Sequence, residues 1–231
     1  MKNPKYFRAF ARYSVLSVLG TLGVSCYILA DTFFVAQGLG TDGLTALNLA
    51  IPVYNLIHGS GLMLGMGGAT LFSVVLGKQE RNANRIYTQT LCLAAVFSAF
   101  FFLLRLFLPV PLARLLGADA SVLGRTATYL RWLLLFAPAF ILNDILLCFV
   151  RNDRTPELST AAMLTGSFMN ILLNYIFIFP LQMDIFGAVF ATGLSPVISI
   201  LVMTPHWIRR KAVRLGNGII HCIKRRAFAL V

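Results

Sequence analysis

Long apolar segments dominate this chain and set the kind of fold that it can adopt. Each has 18 or more residues with few charges, the length that crosses the hydrocarbon core of a bilayer as a helix. Only 12% of the residues are charged and 58% are hydrophobic, whereas soluble domains carry roughly 25% charged residues. We therefore predict an all-α integral membrane protein with six transmembrane helices. The predicted spans are Tyr13–Gly38, Leu44–Gly77, Ile86–Pro109, Thr126–Val150, Leu158–Pro180 and Ile185–Trp207.

The basic residues predict the orientation of this bundle. Four precede the first span, three lie between the second and third, two lie between the fourth and fifth, and seven follow the sixth. These 16 of the 20 lysines and arginines fall on one side, so the positive-inside rule places both termini in the cytoplasm of a plasma-membrane protein. Contacts with anionic lipid headgroups account for the net charge of +12, and nucleic-acid binding need not be invoked.

Asp31 is an acid within the first span, which contains no basic residue that could pair with it. A carboxylate at such a depth costs roughly 2.5–3.5 kcal/mol on insertion scales, so intramembrane acids usually face a cavity or an ion path. The alternative is an acid at the end of the helix that reaches the headgroups. Partners at the same depth favour the first interpretation.

Three further polar side chains are predicted at the depth of Asp31. Asn174 lies ~9 Å, Asn170 ~15 Å and Thr192 ~10 Å from the outer ends of their helices, at 1.5 Å per residue. Asn170 and Asn174 are four residues apart and project from one helix face. Carboxylate, amide and hydroxyl oxygens suit a proton or a hard cation such as Na⁺. Interhelical hydrogen bonding without cation binding is an equally open alternative.

Two other intramembrane polar residues, His58 and Asp144, are secondary candidates. For Asp144 we favour snorkelling or pairing with Arg151 or Arg154, and for His58 either a functional donor or a satisfied interhelical hydrogen bond. The histidines and cysteines lack metal-ligand spacing, so no metal site is expected. The sequence contains no nucleophile–base pair or phosphate loop that would indicate an enzyme, and no cofactor beyond a coupling ion is expected.

Two stretches resemble the multidrug and toxic-compound extrusion (MATE) family. Ile28–Gly77, which begins ILADTFFVAQ, is similar to its first two helices, and Arg151–Thr192, which begins RNDRTPELS, is similar to its fifth helix and the start of its sixth. The resemblance implies an exporter that couples outward movement of cationic or amphiphilic drugs to inward H⁺ or Na⁺. It also implies a cation site formed by Asp31, Asn170, Thr192 and the residue at position 174.

The chain departs from the family pattern at three positions. Asn174 stands where the family has an acid, which leaves one carboxylate in place of two and should weaken cation binding. Arg154 and Asp184 stand where glycines are expected in turns.

The length is a further departure, because family members have two six-helix lobes with the drug path between them. Residues 1–208 are expected to form one lobe, and the basic tail 209–231 resembles the linker to a second. We expect a truncated or half-size antiporter, which pairs with a second lobe or a second copy, and whose chain alone inserts without exporting drugs. The alternatives are a lipid-linked sugar flippase of the same superfamily and a non-transporting membrane remnant or scaffold.

Overall fold

The computed structural model describes residues 4–77, 83–153 and 155–209, and this part of the chain is all-helical. The all-α prediction is therefore confirmed. The predicted basic tail, residues 209–231, lies outside the described residues apart from position 209. The elements are α1 (Pro4–Gly77), α2 (Ala83–Phe107), α3 (Pro109–Leu115), α4 (Leu123–Asn152), α5 (Pro156–Ile178) and α6 (Asp184–Arg209).

The first two predicted spans form one helical element, α1, with a single break at Gly40. The hydroxyl groups of Tyr27 and Tyr54 lie 2.5 Å apart, although 27 residues of straight helix would separate them by ~40 Å. The two arms of α1, residues 4–39 and 41–77, therefore fold back on each other at Gly40. In the described part of the chain, five helices are long and apolar enough to cross a membrane. Since α1 folds back into two arms, the bundle has six segments of that kind.

Glycine is required at the break. Gly40 has φ 69° and ψ −161°, a backbone conformation that is essentially restricted to glycine because a Cβ atom would clash with the backbone. The predicted loop between the first two spans, Leu39–Gly43, contains this residue, so its position was correct. The connection is much tighter than a five-residue loop.

Helix α4 lies at the centre of the bundle and contacts each of the other helices. Apolar residues are buried around most of its circumference, including Leu130, Leu133, Ile141 and Ile145. A helix that is apolar on all sides is typical of a position surrounded by other helices rather than at the edge of a bundle. Because α4 touches every neighbour, its polar residues Thr126, Tyr129, Asn143 and Asp144 are buried among other helices.

A short helix, α3, was not predicted. The predicted third span ends at Pro109, but Pro109 is the first residue of α3. Proline lacks a backbone donor, and the first turn of a helix does not need one, so proline often begins helices. The third span consequently ends at Phe107.

Asp184 begins α6 with a positive φ of 51°, a backbone conformation that favours glycine. This agrees with the expected glycine at position 184. The Asp184 carboxylate instead accepts a hydrogen bond from Nε of Arg125 at 3.4 Å, and Asp42 lies 3.9 Å from the same guanidinium group. Arg125 thus joins the break in α1 to the starts of α4 and α6. Position 154, the other departure, lies outside the described residues.

Candidate functional site

Asp31 lies in the first arm of α1, nine residues before Gly40, and is only 8% exposed. The amide nitrogen of Asn174 in α5 donates hydrogen bonds to Oδ1 of Asp31 at 2.8 Å and to Oδ1 of Asn170 at 3.0 Å. Both asparagines are fully buried. The predicted contact between the acid of the first helix and an asparagine of the fifth is therefore present.

Thr192 in α6 completes the layer. The amide nitrogen of Asn170 donates to the Thr192 hydroxyl at 3.5 Å, and Thr192 is also hydrogen-bonded to Tyr129 of α4. All four residues selected from the sequence thus belong to one hydrogen-bonded network. Sequence reasoning missed Tyr129, which is 3% exposed. Its depth in the fourth span was a usable signal, because a tyrosine buried in a bundle needs a partner for its hydroxyl group.

The charge of this network is unbalanced. The ion pairs of the described residues involve other acids, and none of them includes Asp31. Oδ1 of Asn174 is also buried without a hydrogen-bond partner among the described residues. An ionised carboxylate held away from water is costly unless it is compensated by a cation or by protonation. The arrangement can therefore bind a single positive charge.

The second pair of polar residues corrects a prediction. Asp144 does not pair with Arg151, whose guanidinium instead contacts the sulfur of Met163 at 3.4 Å; Arg154 lies outside the described residues. Oδ2 of Asp144 lies 2.8 Å from Nδ1 of His58. An interhelical hydrogen bond is thus present at Nδ1 of His58, whereas Nε2 has no partner among the described residues.

Two glycines of α1 explain why Asp144 pairs with a histidine. A Cβ atom at Gly61 would lie 2.8 Å from Oδ2 of Asp144, and one at Gly65 would lie 3.0 Å from the backbone of Ile145. Glycines spaced by four residues let two helices approach closely. This close approach of the second arm of α1 to α4 brings His58 within reach of Asp144.

Residues of both polar clusters line one cavity of about 370 Å³ between the helices, although Asp31 and Asn174 are not among them. His58 and Asp144 contribute to its wall, as do Asn170 and Thr192. Its volume falls within the range of small-molecule sites, roughly 300–1,000 Å³, which are mostly apolar with a few polar groups. The lobe therefore contains a partly open space in which a small molecule could contact His58 and Asp144 on one side and Asn170 and Thr192 on the other.

Comparisons with known proteins agree with this architecture. The MatE family model matches residues 17–176. The multidrug export protein MepA of Staphylococcus saprophyticus is 27% identical over 208 residues, which cover 90% of this chain and 46% of that protein.

Two solved structures have similar folds. A MOP superfamily transporter from Pyrococcus furiosus matches with a TM-score of 0.83 and 27% identity, covering 91% of this chain and 47% of that one. The binding pocket of that transporter has a reversed polarity that suggests a different function. An outward-facing multidrug resistance MATE family transporter matches with a TM-score of 0.81 and 28% identity, covering 89% of this chain and 46% of that one.

The chain spans about half the length of the relatives that it matches. The matched region includes most of the described helices, from the first arm of α1 into α5. Since the family model covers more than half of the sequence, the chain belongs to the MATE family of membrane transporters.

Proposed function

We propose that this chain forms the N-terminal lobe of a proton-coupled drug exporter, in which Asp31 binds the coupling proton. The observation behind the proposal is a buried acid, held by Asn174 and without a basic partner among the described residues. A carboxyl group in that position has two states of different energy, ionised and protonated, and binding of a proton removes the cost of the buried charge. A change in the state of Asp31 can thus be linked to a change in helix packing.

A proton suits this site better than Na⁺. Sodium needs several oxygen ligands, but the oxygens of Asp31 and Asn170 that face each other both accept hydrogen bonds from the Asn174 amide nitrogen. A carboxylate at position 174 would supply a second negative charge and two acceptor oxygens, whereas the amide supplies one oxygen and no charge. The site therefore favours a coupling ion that needs one carboxylate oxygen, which is H⁺.

Export also requires a second lobe in this proposal. Alternating access arises when one bundle moves against another around a shared site. The partner is a second MATE-like lobe or a second copy of this chain, and the substrates are small cationic or amphiphilic drugs. The names of the relatives support drug substrates in general, because they describe multidrug export and multidrug resistance. We place the protein in the plasma membrane with both termini in the cytoplasm, as the basic residues indicate.

The proposal is tested by replacing the corresponding lobe of a two-lobe MATE transporter with residues 1–208 and measuring proton-driven dye efflux. Asp31→Asn should reduce efflux to the level of cells without transporter, at unchanged membrane abundance. Asp119→Asn is the matched control, because it makes the same chemical change at an exposed acid, and it should leave efflux intact. Undiminished efflux by the Asp31→Asn chimera would overturn the proposal.

A further inference from the structure

The His58–Asp144 pair lies apart from the Asp31 layer and has no role in the function proposed above. His58 follows the break by 18 residues and Asp31 precedes it by nine, which places His58 ~14 Å deeper from that end of the bundle. Asp144 is likewise 15 residues beyond Tyr129 along α4, a separation of ~22 Å. The two acids therefore occupy different halves of the lobe.

We propose that His58 and Asp144 form a second proton-binding site of this lobe, separate from Asp31. The carboxylate is close to the imidazole ring, with 2.8 Å between Nδ1 of His58 and Oδ2 of Asp144. The side chain of Asp144 is only 7% exposed, so its charge is little screened by solvent. A carboxylate at this distance favours the charged form of an imidazole.

Two aromatic rings pack against the His58 ring. Its centroid lies 4.5 Å from that of Tyr54 and 5.1 Å from that of Phe140, and the ring pairs are tilted or edge-to-face. These contacts fix the position of the imidazole, and the Asp144 carboxylate is the group that opposes the cost of removing an imidazolium from water.

The position of the added proton follows from the hydrogen bond. With Nδ1–H donating to Asp144, the remaining lone pair of the imidazole is on Nε2, which is buried and has no hydrogen-bond partner among the described residues. A proton that binds there changes the pair from a net charge of −1 to zero, without any other bond being formed or broken. The histidine and aspartate together thus accept one proton.

Few other ionisable groups face this pair across the cavity. Tyr27 and Tyr54 come from α1, and Cys148 and Arg151 come from α4. The cavity residues from α5 and α6 carry no charge, because they are serine, threonine, asparagine, glycine, proline and methionine. Arg151 is the one lining residue with a fixed positive charge. A proton on His58 would therefore change the net charge of the cavity wall.

The tyrosines also connect the two sites. Tyr27 is one helical turn from Asp31, Tyr54 is one turn from His58, and the two hydroxyl groups are 2.5 Å apart. Asp31, Tyr27, Tyr54 and His58 thus follow one another in depth across the bilayer. The second site therefore lies nearer the opposite side of the membrane from Asp31, where it could exchange protons with the solution on that side.

The test uses the full chain, purified in detergent, with His206 and His221 changed to asparagine so that His58 gives the one imidazole NMR signal. The chemical shift of this signal reports whether the imidazole carries the added proton. Asp144→Asn should weaken proton binding to the imidazole at least tenfold, because the opposing charge is lost. Asp31→Asn should change it less than threefold.

Two further measurements separate this proposal from the alternatives. Proton uptake between pH 8 and 5 should fall by one proton in His58→Gln, a variant that retains a polar side chain and so tests the site if Asp144→Asn does not fold. A signal that does not titrate, or a titration that is unchanged in Asp144→Asn, would show a purely structural hydrogen bond. Proton binding at His58 is measured without drug export. A chimera that fails to export dye would therefore not contradict the second site, and absence of the second site would not contradict the role of Asp31.

Discussion

At the scale of single residues, position 174 distinguishes this chain from the pattern that its sequence resembles. Asn174 donates to two oxygens, on Asp31 and Asn170, where an acid would be an additional acceptor. If position 174 were an acid, it could share a proton or a cation with Asp31. In this chain the amide hydrogens of Asn174 take that position and bind the Asp31 carboxylate directly. The layer is therefore hydrogen-bonded with only one acid. Its ion preference depends on Asn174, the one residue of the layer that differs from the family pattern.

Substitution of Asn174 by aspartate tests this dependence. The variant has a second buried carboxylate, which should create Na⁺ binding and raise the thermal stability of the purified chain in NaCl relative to KCl. At a Na⁺ concentration 100 times the dissociation constant, the stabilisation is about 2.7 kcal/mol. The unsubstituted chain should unfold at the same temperature in both salts. An equal response to Na⁺ in both proteins would contradict the role assigned to the amide.

The sequence identified polar residues that are unusual within membrane spans and whose depth can be calculated from their distance to the end of the helix. Asp31, Asn174 and Thr192 could be aligned because membrane helices rise by a constant amount per residue. The His58–Asp144 pair could not be found in this way. Which faces of two helices meet depends on close packing at Gly61 and Gly65, and depth alone contains no such information.

At the scale of helices, the fold-back of α1 follows from a single backbone conformation. Gly40→Ala meets no other part of the bundle, since nothing beyond the local backbone lies within 4 Å of a Cβ atom there, but it forces alanine into a region of φ and ψ reserved for glycine. We expect a loss of about 1–3 kcal/mol in the free energy of unfolding. Reversible unfolding in mixed micelles measures this change.

Gly59→Ala is the control for the break. Position 59 is helical and equally open, so alanine there should leave stability unchanged or raise it by up to about 1 kcal/mol. Equal stability of the Gly40 and Gly59 variants would show that the break tolerates a side chain.

At the scale of the whole molecule, the distribution of charge predicts how the bundle lies in the membrane. Single cysteines are introduced at Thr41 or Met183, and at Glu80 or Ala212, in a chain without its native cysteines. An impermeant thiol reagent added outside cells should modify the first two positions and not the last two, because the basic loops stay in the cytoplasm. Modification at position 80 from outside would reverse the orientation.

The central claim is that Asp31 binds an exchangeable proton inside the bundle, and infrared difference spectroscopy of the purified chain tests it most directly. Lowering the pH should produce the carbonyl band of a protonated carboxylic acid, since a buried carboxyl group without a basic partner gains by protonation. The contribution of Asp31 to this band should be missing from Asp31→Asn and present in Asp119→Asn, while the other acids of the chain contribute in both. A difference spectrum of Asp31→Asn identical to that of the unsubstituted chain would contradict the claim.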